Sequence, residues 1–328
     1  MSMNITCLED LPNELIVDIC KYVDARQLFH SFSYLNNRFT KLLFSLNCLH
    51  LTISLFDMKE NKNDEILLHC IRTLIIDRGI NISLRKFKNL RCLILRNPKE
   101  KIFEQLNFQF IHLIEYLSIT HKFNTTTIQS SINDLYQRIF SNDFPYLKSC
   151  HFIDIEVQHP NESWQQCFSL KFLRIGKLNP IIYRSILSAC PNLHFIQFTT
   201  LLPLIESTLP NLMFHFQLRQ MIIKDDDLSL PWNDQHIQEY LQCIPNLEKL
   251  TIYRSTSFRK ITDYSNYDWF ASILLRSLRL LQKFQLILNI YDKKRFTKCF
   301  RENMFCALKE QFHNVHKYHY QALIRILA

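Results

Sequence analysis

Glycine is almost missing from this chain: its 328 residues hold two, Gly79 and Gly176. Phosphate-cradling loops and dinucleotide-binding turns need several glycines, because only a backbone without side chains can approach the phosphates. A nucleophile elbow usually needs them too. None of these patterns occurs, which argues against the common nucleotide-dependent and hydrolytic enzymes. Long apolar runs are also missing; none approaches the roughly 18–20 residues of a membrane helix. The chain opens Met1-Ser2-Met3-Asn4 and soon reaches Glu9 and Asp10, with no basic patch ahead of an apolar stretch. No secretory signal is therefore expected.

The 11 cysteines, from Cys7 to Cys306, are odd in number and include no CxxC pair. Cys20, Cys70, Cys92, Cys150, Cys190 and Cys243 sit inside apolar patterns, so free thiols are expected as small core residues in a reducing compartment, cytoplasm or nucleus. The sequons at Asn4, Asn124 and Asn161 are then chance matches. His313, His316 and His319 recur near Cys299 and Cys306 without metal-ligand spacing, and no metal or cofactor is expected. Asp225-Asp226-Asp227 lacks the spacing of a calcium loop and reads as a solvated turn. Trp164, Trp232 and Trp269 read as packing residues. No catalytic residue can be singled out.

Charge is uneven. The formal charge is +9. Residues 1–46 hold four basic and five acidic side chains, a net of −1, so residues 47–328 carry +10. An acidic partner for the longer part, or simple solubility, would account for the excess.

What is present begins with three short helices. Pro12 suits a first helical position, Glu14 favours the positive helix end, and Leu15, Ile16, Ile19, Cys20 and Val23 follow at helical spacing. Asp24-Ala25-Arg26-Gln27 is a second start, an acidic N-cap with Gln at N3, followed by Leu28, Phe29, Phe32 and Leu35. A third helix is predicted from Asn37 through Phe39, Leu42 and Leu43. So small a module encloses little apolar area and should cover its remaining face with a partner.

The run Leu8-Glu9-Asp10-Leu11-Pro12-Asn13-Glu14-Leu15-Ile16, with Ile19, Tyr22-Val23-Asp24, Leu28, Phe32 and Leu35-Asn36-Asn37-Arg38-Phe39, resembles the F-box. Phe39 stands near where F-boxes commonly carry a Trp. The resemblance implies docking to the Skp adaptor, and through it the cullin, of a Skp–cullin–F-box ubiquitin ligase. Leu11, Pro12, Leu15, Ile16, Ile19, Leu28 and Phe32 are the implied adaptor-binding residues, or else they only close the three-helix core.

After residue 46 a frame L-x-x-L-x-L recurs. Its starts are Leu46, Ile71, Leu90, Ile114, Leu147, Leu170, Leu193, Leu218, Leu247 and Leu281, which are 25, 19, 24, 33, 23, 23, 25, 29 and 34 residues apart. Most of these spacings lie in or near the range of leucine-rich repeats. Each frame should end in a strand with its apolar residues on one side. Helical patterns lie between: Tyr183–Cys190 leads into Pro191-Asn192-Leu193, and His236–Ile244 into Pro245-Asn246-Leu247. Proline stops the helix, and asparagine can take the left-handed turn. Phe87-Lys88-Asn89-Leu90 is a weaker version.

This helix, PNL and strand cycle resembles the repeat domain that commonly follows an F-box. The expected fold class is α/β: an N-terminal three-helix F-box (1–46), then a leucine-rich-repeat-like α/β solenoid (47–328) with parallel strands on its concave face. Tyr320–Leu327 is predicted as a C-terminal capping helix. An ordinary α/β domain with a parallel sheet is the alternative.

Side chains alternating with the buried ones should line the open sheet face. Aromatic and basic residues gather there in the later frames, and Phe172, Arg174, Phe195, Lys224, Lys249 and Tyr253 form the candidate target-binding set. Arginine and aromatic side chains anchor interfaces, and a basic cluster suits a carboxylate or phosphate. The function expected is that of a non-enzymatic substrate receptor: the F-box binds the adaptor and the repeats hold a protein target. The rivals are an F-box scaffold that delivers no target and a basic solenoid that binds nucleic acid, although no nucleic-acid motif is present.

Overall fold

In a strand, residues two apart share a face, so the second and third anchors of each frame must be buried together or exposed together. A computed structural model of the protein describes residues 8–32, 35–46, 49–54, 65–77, 80, 82–106, 112–121, 126–153, 164–201, 213–225, 234–257, 268–291, 298–316 and 320–327. Cys7, Gly79, Asp226, Asp227, Trp232, His319 and the sequons at Asn4, Asn124 and Asn161 lie outside the described residues. All ten frames end in strands, and no anchor residue is more than 6% exposed.

The chain divides into two compact units, residues 1–135 with 143–147, and 136–142 with 148–328. The first holds helices α1 (Asn13–Cys20), α2 (Ala25–Phe32), α3 (Asn37–Ser45), α4 (Glu65–Cys70) and α5 (Glu100–Gln105). Its strands are β1 (Leu49–Ile53), β2 (Ile71–Ile76), β3 (Cys92–Arg96) and β4 (Tyr116–Thr120). Helix α6 (Thr126–Phe140) begins in the first unit and ends in the second. The second unit holds strands β5 (Ser149–Ile153), β6 (Phe172–Leu178), β7 (Phe195–Thr200), β8 (Gln220–Asp225), β9 (Lys249–Ser257), β10 (Lys283–Tyr291) and β11 (Gln321–Leu327). Its helices are α7 (Pro180–Ala189), α8 (Asp234–Leu241), α9 (Asp268–Ser277) and α10 (Lys298–His316).

Within each unit every strand pairs, in parallel, with its neighbours in sequence. The anchors fall into register. Leu51, Leu74, Leu93 and Leu117 are successive partners in the first unit. Cys150, Leu173, Ile196, Met221, Leu250 and Phe284 are successive partners in the second. Helices cover the anchor side. Tyr136 of α6 meets Phe152 at 4.5 Å, and Tyr183 of α7 and Tyr240 of α8 flank Phe198 at 5.4 and 5.0 Å. Each fully buried aromatic or leucine side chain contributes roughly 1.5–3 kcal/mol of apolar burial.

Three backbone devices repeat. The first anchor donates its N–H to the carbonyl three residues back (Leu90 to Phe87, Leu193 to Cys190, Leu247 to Ile244), a tight turn that aims the chain into the strand. The residue after that anchor offers a carbonyl that takes two N–H groups of the next repeat. Lys171 O, for example, accepts from His194 and Phe195 at 2.9 and 3.1 Å. In the third device, Asn89, Asn192 and Asn246, each just before a first anchor, donate Nδ2–H to His69 O, Phe168 O and Phe216 O at 2.8, 2.9 and 3.1 Å. Each acceptor lies two residues before the preceding first anchor, so the bond ties one repeat to the last.

Two expectations are corrected. Tyr320–Leu327 is not a capping helix: Gln321–Leu327 is β11, paired with β10 from Lys283↔Gln321 to Asn289↔Leu327. The open edge of a buried sheet outweighs the segment's local helical tendency, because its backbone groups find partners on β10. Asn192 and Asn246 do not take the left-handed turn either; positive φ occurs at Asn97 (51°) and Asn142 (64°). Their amides are used between repeats, a bond no glycine could supply.

His215 replaces the repeating turn in its unit. Its Nδ1 accepts the Leu218 N–H at 3.1 Å and its Nε2 lies 2.9 Å from Cys190 O, so the proton is on Nε2 and the ring is neutral. Burial pushes its pKa down, partly offset by the carbonyl of Cys190.

The first helices are joined directly to the sheet. Asp24 caps α2 through the Arg26 N–H at 3.0 Å, and its other oxygen accepts the Thr52 N–H at 2.8 Å. The Arg26 guanidinium donates to Thr52 O. Both outward backbone groups of Thr52 on edge strand β1 are thus satisfied by the second helix.

Replacing Asn192 or Asn246 with alanine should each cost about 1 kcal/mol, nearly additively in the double variant, by urea denaturation. A neutral His215 stabilises the fold fully above its unfolded pKa, and the contribution is lost as the pH falls through its lower folded value. Wild type should therefore lose more stability between about pH 7 and 5 than His215→Gln, which should already be weaker at neutral pH by roughly 1–3 kcal/mol.

Candidate functional site

Each unit carries one surface of functional interest. In the first, α1 is apolar on two sides. Ile16 and Cys20 face inward, 2% and 3% exposed, whereas Leu15 and Ile19 are 50% and 43% exposed. Tyr22, 87% exposed, extends the same i, i+4, i+7 stripe. Leu8, Leu35 and Phe44 are exposed large apolar side chains in the same helical segment. The segment is internally well tied. Arg38 donates to Asn13 Oδ1 at 3.0 Å and to the carbonyls of Glu9 and Leu11, and Asn36 donates to Glu9 at 2.9 Å. Phe32 packs on Phe39 at 5.3 Å and Phe29 on Phe44 at 5.8 Å.

The seven residues that the F-box resemblance singles out therefore divide. Pro12, Leu15 and Ile19 are exposed, Leu11 and Phe32 are half-buried, and Ile16 and Leu28 lie inside the helical segment and serve its own core. Leu8, Tyr22 and Leu35 helped carry the resemblance but were not named as contacts, and Phe44 was not noted from sequence. For Tyr22 the signal was available, since it continues the Leu15–Ile19 spacing.

In the second unit, the six candidate target-binding residues all stand on the sheet face opposite the anchors, in three rows. Phe172, Phe195, Gln220, Lys249 and Lys283 are successive register partners in the first row. Phe172 is 46% exposed and its ring centroid lies 6.5 Å from that of Phe195. Arg174, in the second row, places its guanidinium carbon 5.7 Å from the Phe195 centroid, within cation–π range. Lys224 and Tyr253 are direct partners in the third row.

A bulge adds a residue that sequence reasoning missed. Arg174 pairs with Gln197, but the next pair is Lys177 with Thr199, so β6 carries one extra residue around Ile175–Gly176. Strict alternation would turn Lys177 inward. The bulge turns it outward instead and buries Leu178. Gly176, one of two glycines, was the available signal, since glycine inside a strand marks such sites.

No family model matches this chain, and the search of curated proteins finds no match.

Beside Arg174, His151 is half-buried with Nε2 3.3 Å from Ser149 Oγ. Burial pushes its pKa down to about 4, and the Arg174 cation adds to the effect. The imidazole is thus neutral around pH 7, leaving the charge here to Arg174. Among the described residues no group of three or more His, Cys, Asp or Glu side chains is placed to hold a metal ion. His313, Cys299 and Cys306 are exposed, while His316 is buried against Phe312 and Tyr320. The nine described cysteines are free thiols. Trp164 packs on Phe140 at 4.5 Å. Asp225 ends β8. Among the described residues no helix is long and apolar enough to cross a membrane.

By NMR titration, His151 should protonate near pH 4. In Arg174→Gln the value should rise but stay below that of a free histidine, because burial is the larger cause. No upward shift would show that the cation does not act on this ring.

Proposed function

We propose that this protein is a non-enzymatic receptor subunit: its N-terminal helices form an F-box that docks onto the Skp adaptor of a cullin ubiquitin ligase, and its strand–helix units form a leucine-rich-repeat-like solenoid that holds a protein target. The observation that supports the docking half best is the second apolar stripe, Leu15 and Ile19 of α1 continued by Tyr22 just past its end, which stays exposed on a segment whose inner face is already filled. Helices that are apolar on two sides bury one face at home and the other against a partner. The residues of that stripe fall within the sequence that resembles the F-box.

The mechanism on this reading is proximity. A target held on the strand units and an adaptor held on the helices would share one chain. The target's lysines would then meet the ubiquitin carrier at a raised effective concentration, with no catalytic group supplied here. The outer face of β6–β9 offers aromatic and cationic anchors for the target half. A nucleic-acid reading draws on that same combination.

Co-expression with the Skp adaptor tests the docking. Wild type should recover the adaptor, and Leu15→Glu/Ile19→Glu should lose most of it, with circular dichroism unchanged because both positions are exposed. Leu11→Ala/Pro12→Ala should weaken recovery less. Equal recovery by all three would refute the docking, and recovery of adaptor without cullin would favour a scaffold that delivers no target.

A further inference from the structure

On the outer face of the second unit, every charged side chain described is a cation. Arg174, Lys177, Lys224, Lys249, Lys283 and Arg325 occupy outward positions on β6, β8, β9, β10 and β11, and no Asp or Glu occupies one on β5–β11. The first unit differs: there Arg96, at the outward end of β3, has an acid beside it, Asp77 just past the end of β2, at 3.2 Å. In the second unit Lys249 and Lys283 are direct register partners, like charges side by side. Such pairs destabilise a sheet. The carboxylate next to Lys249 in sequence, Glu248, is engaged elsewhere, 3.4 Å from Arg219.

The cations stand at a fixed distance from the aromatic pair, exposed Phe172 and half-buried Phe195. Phe172 and Phe195 share the row of Lys249 and Lys283, with Gln220 between. Two strand spacings, about 10 Å, separate Phe195 from Lys249, which is about three residues of extended chain.

We propose that this row binds an extended acidic peptide segment of a protein partner, laid across the strands. One apolar side chain of the segment rests on Phe172 and Phe195, and carboxylates about three residues further along sit between Lys249 and Lys283. The anion removes the repulsion between the two lysines, and Arg174, held over Phe195, orders the aromatic end. Single-stranded nucleic acid would also meet cations and aromatic rings. The peptide is favoured because the cations cluster at one end of the row and the aromatic pair at the other, whereas a nucleic-acid strand needs both at every step. The proposal deepens the target-receptor reading but does not need the adaptor.

Fluorescence anisotropy on the full chain tests it, with a labelled peptide carrying one phenylalanine and a glutamate pair three residues later. Saturable binding is expected. It should weaken about tenfold or more when Gln replaces the glutamates, when the pair is moved next to the phenylalanine, or in Lys249→Glu/Lys283→Glu. Phe172→Ala should also lose about tenfold, while Glu310→Lys on α10 should change nothing. A Gln peptide that binds as well as the Glu peptide, no saturable binding of the Glu peptide, or tighter binding of oligothymidylate of equal charge would each overturn the proposal. Adaptor recovery by Lys249→Glu/Lys283→Glu should match wild type, so failure on the sheet face is distinguishable from failure of docking.

Discussion

Alternation along the strand is the constraint from which the rest follows. The second and third anchors of each frame are two residues apart and both must be buried, so the residues flanking and separating them must face the other way. In-register parallel pairing then turns single residues into rows. Phe172 becomes a neighbour of Phe195, and Lys249 of Lys283, only because Leu173, Ile196, Met221, Leu250 and Phe284 stack as partners beneath them. The chemistry of the open face is therefore set by what the core requires of the closed one.

The bonds between successive repeats explain how so degenerate a pattern holds together. Spacing between frames varies widely, yet the turn into each strand is rebuilt from the same offsets. A carbonyl shared by two N–H groups fixes each strand against the last, and an asparagine amide fixes the loop before it. His215 shows the tolerance of the scheme, since an imidazole does there what a backbone carbonyl does elsewhere. Variable helices and loops can be inserted between fixed corners without disturbing the rows.

Ten of the eleven strands were legible because leucine, isoleucine and phenylalanine at fixed offsets leave a strong signal. β11 was not legible: its inward residues include Ala322, too small to mark a core position, and the frame's first place is held by His319. The face of the candidate site was legible from alternation alone, and its six chosen residues do share it. Lys177 was hidden, because a bulge breaks the alternation from which outward positions are counted. The role of Asn192 and Asn246 was misread because a local turn was the only use visible in a sequence; the true acceptors lie a whole repeat away. In the helical segment, inner and outer residues could not be told apart, since α1 is apolar on both sides and periodicity does not say which side meets the core.

Asp24 and Arg26 occupy both free backbone groups of Thr52, so no further strand can add to β1 at that residue. Within each unit, strands pair only with their sequence neighbours, so contacts form between segments made close together in time. A chain leaving the ribosome would thus have its leading edge sealed first. Within each unit, each later strand would find one open template, the one just completed, and growth would run in the direction of synthesis.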